Sequence, residues 1–160
     1  MEITVRAATL ADAPAIRDLA SAAWRDTYDG LLAPATIEAF IQQRYSLDQL
    51  AGRIRSRLFL VAETNGGIIA FGDARLESDC VKLVAIYADP VQRGRGAGTR
   101  LLAAIREHFP GLPIAADVLD GNRNGESFYE AHGFIPRETL KTDLLGEAVV
   151  ERRWWLEAER

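Results

Sequence analysis

A glycine-rich turn joins an apolar run to a helical pattern, and this order restricts the fold more than any other feature of the chain. The run is Val81–Ala88, apolar on both faces as a central strand would be. The turn is Gln92-Arg93-Gly94-Arg95-Gly96-Ala97-Gly98-Thr99. Leu101, Leu102, Ile105 and Phe109 then share one helical face. A helix start leaves backbone N–H groups unpaired and carries a partial positive charge. Glycines let those groups approach an anion with no Cβ in the way. Strand, glycine turn and helix start together read as a phosphate cradle.

Several motifs compete for that cradle. A P-loop needs a Lys after its second glycine, and none stands there. A dinucleotide fingerprint needs Gly-x-Gly-x-x-Gly in the first strand–helix unit. Gly94 and Gly96 fit it, but Thr99 holds the third position and the turn lies mid-chain. Asp117, at the spacing of a ribose-binding acid, keeps that reading open. A glycine turn that binds nothing is the plainest reading. Arg93-x-x-Gly96-x-Gly98 resembles the Arg/Gln-x-x-Gly-x-Gly/Ala signature of the GNAT superfamily of acetyl-CoA-dependent N-acetyltransferases. A second stretch strengthens the resemblance. Asn122-Arg-Asn-Gly125-Glu-Ser-Phe128-Tyr129-Glu-Ala-His-Gly133-Phe134 is similar to the family's later Asn-x-x-Ala-x-x-Phe-Tyr-x-x-x-Gly-Phe. One helix and one strand fit between the two. Gly125 departs from the family's Ala, which should loosen the helix start. Gly133-Phe134 reads independently as a helix C-cap with an apolar clamp.

The remaining sequence is consistent with one domain over residues 1–160. That length gives room for a real core, and 48% hydrophobic residues is ordinary for a soluble globule. A formal net charge of −4 argues against a general nucleic-acid binder. One cysteine, Cys80, excludes an intramolecular disulfide framework, and with two histidines, His108 and His132, no metal is expected. The N-terminus shows no apolar leader core and no run is long enough to span a membrane, so the expectation is a cytoplasmic enzyme, monomer or homodimer, without membrane or nucleic-acid partners.

Alternation at Ile3, Val5 and Ala7 opens the chain as a strand. Asp12 is a good N-cap ahead of Pro14, and Ile16, Leu19, Ala20, Ala23 and Trp24 mark a helix face. Ile37, Phe40, Ile41 and Tyr45 mark a second helix, and Leu47, Leu50 and Ile54 a short third. Leu58–Glu63 and Ile68–Glu77 are strands around an Asn65-Gly66 hairpin turn. After the glycine turn and its helix come a strand at Pro113–Leu119, a helix at Arg123–His132, an extended Phe134–Thr139, a turn at Asp143–Gly146 and a last strand at Ala148–Leu156. The order βααα-βββ-αβ-αββ predicts an α/β (α+β) fold with a mixed sheet of about seven strands and helices on both faces. The GNAT resemblance adds that this sheet splays open near its middle to admit acetyl-CoA.

The resemblance also implies roles for residues. Ile86, Tyr87 and Ala88 would give backbone contacts to the pantetheine, and Arg93, Gly94, Arg95, Gly96, Ala97, Gly98 and Thr99 would hold the pyrophosphate. Asn122 would bond the pantetheine arm, or serve simply as a helix N-cap. Tyr129 would stand near the sulfur as the catalytic acid, its phenol pKa near ~10 suiting a leaving thiolate. Many family members carry a carboxylate base on the central strand. Val84, Ala85 and Ile86 offer none, which leaves Asp73, Glu77, Asp117 or a water chain. Segments within Trp24–Leu50 resemble polyamine-acetylating members, so Trp24 and Tyr28 are candidate walls for an alkyl amine or else core aromatics, with Asp26, Asp29 and Glu38 as candidate attracting charges. The implied function is acetyl transfer from acetyl-CoA, as co-substrate, to a small primary amine such as a polyamine, directly in a ternary complex. A protein or peptide N-acetyltransferase and a non-catalytic acyl-CoA sensor are the alternatives.

Overall fold

The structure, a computed structural model, describes residues 2–159. The element order is β1 (Thr4–Ala7), α1 (Ala13–Tyr28), α2 (Pro34–Arg44), α3 (Leu47–Ser56), β2 (Leu58–Thr64), β3 (Gly67–Leu76), β4 (Val81–Ala88), α4 (Ala97–His108), β5 (Ile114–Leu119), α5 (Arg123–Ala131), β6 (Ile135–Leu144) and β7 (Glu147–Leu156). The strands form one sheet in the order β1-β2-β3-β4-β5-β7-β6. Only the β4–β5 pair is parallel. The order is the one read from the sequence. β6 alone is much longer than expected, running to Leu144 where the sequence suggested Thr139. It is an edge strand paired only with β7, and its mostly exposed side chains are polar, which hides a strand from hydrophobic periodicity. The β6–β7 turn puts Leu145 (φ 50°) and Gly146 (φ 93°) in the left-handed region, as a two-residue hairpin requires.

Each face of the sheet buries its own core. On one face Leu101, Leu102 and Ile105 of α4 and Tyr129 of α5 pack on Leu60, Ala70, Leu83, Val118 and Trp154. On the other, Ile16, Leu19, Ala20, Trp24 and Tyr28 of α1 pack with Ile41 and Leu50 on Phe59, Phe71, Ala85 and Leu119. The buried α1 positions recur at the helical period, as the sequence implied.

Two irregularities of β4 open the sheet. Opposite β3, Asp73 pairs with Ala85 and Ala74 with Leu83, so Val84 is bulged out of register. A bulge bends its strand and steepens the local twist. Opposite β5, pairing is confined to Val81–Ile114 and Lys82–Ala115, although β4 runs on to Ala88 and β5 to Leu119. Beyond Lys82 the two strands separate.

Candidate active site

The gap between β4 and β5 holds a cavity of about 450 Å³. Leu83–Ala88 line one wall, and Asp117, Val118, Asn122 and Tyr129 the other. The glycine turn, from Gln92 to Thr99, closes one end, and Tyr28 reaches the opposite side of the sheet. Ile86, Tyr87, Ala88, Arg93, Gly94, Arg95, Gly96, Ala97, Gly98, Thr99, Asn122 and Tyr129, singled out in the sequence, therefore surround one space.

The turn's glycines do different work. Gly96 is the N-cap of α4 with φ 84°, and a Cβ there would stand in open space. Gly98 has no such backbone need; a Cβ there would lie 2.7 Å from Cε1 of Phe128. Gly98 thus lets α5 approach α4. Arg93 ties the turn to α1, donating to the Asp26 carboxylate and to Thr27 Oγ1 (3.2 Å). The far side is held by Thr99 Oγ1 and His132 Nε2, 2.9 Å apart.

Asn122 is buried and caps α5, its Oδ1 accepting from Gly125 N–H at 3.0 Å. A Cβ at residue 125 would stand 2.8 Å from Asn122 Nδ2, so the family's Ala is missing where the cap folds back. At the other end, Phe134 N–H donates to Tyr129 O (2.9 Å) and Gly133 N–H to Glu130 O (3.1 Å), with Gly133 at φ 86°. This is a Schellman stop, and its apolar clamp is the Tyr129–Phe134 ring pair at 4.9 Å. The stop that ends α5 also fixes the Tyr129 ring. Burial pushes its hydroxyl above the ordinary phenol range. Burial likewise lifts Tyr28 to about 12 against the opposing bond from Tyr87, their hydroxyls being 2.7 Å apart. Neutral phenols therefore face the gap at physiological pH.

Trp24 does not line the cavity. It is 6% exposed, stacked on Phe40 at 3.9 Å and tilted against Tyr28 at 4.3 Å, so it belongs to the α1 core. Tyr28, one turn on, is the member of that pair that reaches the gap. Of the carboxylates considered for a base, Asp73 is fully buried between Arg53 (2.9 Å) and Arg57 (3.1 Å). Glu77 is exposed and paired with Arg75 at 3.3 Å. Asp117 is gripped by Lys82 and by Arg153 (2.7 Å). Burial raises Asp117, but those two cations win and hold it below its usual range. Each of the three is committed to an ion pair. Asp26 and Glu38 are likewise paired, with Arg93 and Arg25.

Residues 55–136, just over half of the chain, match the acetyltransferase (GNAT) domain. The chain belongs to the GNAT acetyltransferase family. It is accordingly an acetyl-CoA-dependent N-acetyltransferase. Among curated relatives, the spermidine N(1)-acetyltransferase of Thermoplasma acidophilum is 27% identical over 94% of this chain and 99% of its own. The PaiA N-acetyltransferase of the same organism, crystallised with coenzyme A, superimposes with a TM-score of 0.82 at 24% identity, covering 99% of this chain and 100% of that one. The ribosomal-protein-S18-alanine N-acetyltransferase of Escherichia coli has the same fold, with a TM-score of 0.74 at 18% identity over 99% and 96% of the two chains. Among the described residues no helix is long and apolar enough to cross a membrane.

Two polar residues of these elements carry no sequence signature. His132 sits inside the later motif at a position that carries no signature, and only its contact with Thr99 reveals it. Glu151 lies in a strand whose acids and arginines form no chemical pattern, and only the strand register places it on the α1 face of the sheet, opposite Leu119.

Proposed function

We propose that this enzyme transfers the acetyl group to a primary amine of a small cationic molecule, with polyamines the leading acceptor class. The observation that carries the reading is the cavity itself, which passes through the sheet from the glycine turn to Tyr28. A thioester held from the α4 side and an amine arriving from the α1 side would meet in the gap, so transfer needs no acyl-enzyme. The Thermoplasma relative acts on spermidine, and its similarity extends along nearly the whole chain. A second cavity of about 630 Å³ lies at the α1–α2 connection, lined by Asp29, Glu147 and apolar Leu31, Leu32 and Ile37. Carboxylates set among apolar side chains suit an alkyl polyamine.

In this reading the glycine-turn amides and Asn122 hold the coenzyme, and Arg93 positions the turn through Asp26. Tyr129 gives its proton to the departing sulfur. A dry gap penalises a bare thiolate, so a neutral phenol beside it lowers the barrier where charge develops. A panel of amines assayed for thiol release from acetyl-CoA tests the reading. Spermidine or a similar polyamine should turn over, with kcat/KM falling as salt rises, because attraction between exposed charges is screened. Turnover of a peptide and of no polyamine would overturn the acceptor class, and no thiol release with any amine would favour a sensor.

A further inference from the structure

The acceptor amine reaches the enzyme as an ammonium ion, and its lone pair is unavailable until a proton leaves. Asp73, Glu77 and Asp117 are committed to arginine or lysine, so the proton must go to another group. Glu151 lies on β7, directly opposite Leu119 of β5 and Leu140 of β6. Trp154 and Leu156 point into the α4 core, so the alternate residues of β7 face α1. Val149 packs there with Tyr28 and Leu119, and Arg153 reaches Asp117. Glu151 stands between them, half-buried, and among the described residues no hydrogen bond or ion pair engages its carboxylate.

The groups around it come from every neighbouring element. They are Tyr28 of α1, Lys82 of β4, Asp117 of β5 and Arg153 of β7. Glu138 of β6, opposite Arg153 in register, is occupied by Trp155 Nε1 at 2.7 Å. Lys82 and Arg153 attract the Glu151 carboxylate, but both are bound directly by Asp117, whose like charge opposes them. Tyr28, whose electrostatic environment includes Glu151, lines the cavity with its α1 neighbour Thr27.

We infer that Glu151 is the general base, taking the proton from the acceptor ammonium as the amine passes Tyr28 toward the thioester. This rests on the direct-transfer reading above, whatever the amine. The protons balance. The ammonium loses one to the Glu151 carboxylate, and the neutral amine adds to the thioester carbonyl. The C–S bond breaks as Tyr129 protonates the sulfur, and the phenolate recovers its proton from the nitrogen of the new amide. Glu151 then releases its proton to water, so one proton leaves per turnover. Burial and the like charge of Asp117 push the Glu151 carboxyl above its usual range, the direction a base working near neutrality needs.

Glu151→Gln tests the assignment with whichever amine the wild-type enzyme acetylates best. A peptide acceptor would therefore overturn the polyamine reading and leave this test intact. At neutral pH kcat/KM should fall about 10²–10⁴-fold, the usual scale for a positioned base. The deficit should shrink as pH rises toward the amine's own pKa, near ~10 for an alkylammonium. The wild-type plateau above the Glu151 titration should give way to a steady rise, with the acetyl-CoA Kd and the melting temperature unchanged. Glu151→Ala with added formate provides a second variant, in which rate should return as formate rises. A wild-type rate and pH profile in Glu151→Gln would overturn the assignment. So would a loss equal at every pH and not rescued by formate, which would mark a structural role.

Discussion

At Gly96 the chain enters α4 through φ 84°, with open cavity where a side chain would project. Gly96→Val places a branched group in that space, on a backbone that disfavours it. Acetyl-CoA should then no longer raise the melting temperature, as binding to the native state otherwise does. At Gly98 a single methyl suffices for a different failure, because it would meet the Phe128 ring at 2.7 Å. Gly98→Ala should cost about 1–3 kcal/mol in urea unfolding, as overpacking does, and should displace the ring next to Tyr129. Tyr129→Phe keeps the Schellman clamp with Phe134 and removes only the hydroxyl. Its kcat should drop about 10²–10⁴-fold with the coenzyme Kd nearly constant, the pattern of an interaction made mainly in the transition state. Unchanged turnover in a folded, coenzyme-binding Tyr129→Phe would leave the thiolate to solvent. The glycine turn itself was legible because spacing alone carries its signature. Its glycines' division of labour was not, since it depends on a ring thirty positions further along the chain. Trp24 stayed open between acceptor wall and core for a related reason: an aromatic at helical spacing looks the same in sequence whether it faces a ligand or Phe40.

Elements were read in order and type because each helix and central strand buries a periodic face. The second half of β6 was missed because an edge strand buries almost none. The parting of β4 from β5 was available only as a family trait. It depends on the Val84 bulge and on pairing between segments some thirty residues apart, and no local pattern encodes either. Between elements, Arg6 of β1 joins Asp12, which precedes α1, to Glu63 of β2. The hydrogen bonds from Arg6 hold the Asp12 carboxyl down near about 2. A depressed carboxyl stabilises the fold fully above its unfolded pKa near ~3.9, and that contribution disappears as pH falls through the folded value. Asp12→Asn should therefore be less stable than wild type at pH 7. The two proteins should converge in thermal melts taken between pH 4 and 2, where the wild-type carboxylate is being protonated.

The whole molecule is two cores sharing one sheet, and Phe71 is the largest fully buried side chain of the α1 side. Phe71→Ala should cost about 3–5 kcal/mol. That is a large part of the stability of a domain this size, so calorimetry should show a much lower melting temperature whether or not coenzyme is present. The net charge of −4 matters at this scale too, since it favours the approach of a cationic acceptor. Among the described residues the ladder between the β1–β4 half of the sheet and the β5–β7–β6 half is just two pairs long, at Val81–Ile114 and Lys82–Ala115. A sheet normally keeps its unpaired edge at the periphery, where it must be defended against other chains. Here a second edge is folded into the interior of the molecule. In the proposed reading a pantetheine arm enters there as a temporary strand, and the molecule closes its own sheet only while loaded. Amide hydrogen exchange should register this as a seam. Ile86, Tyr87 and Ala88 should exchange much faster than the β2–β3 ladder in the free protein and slow when coenzyme A is added, while Val81 and Lys82, already stitched, should barely respond.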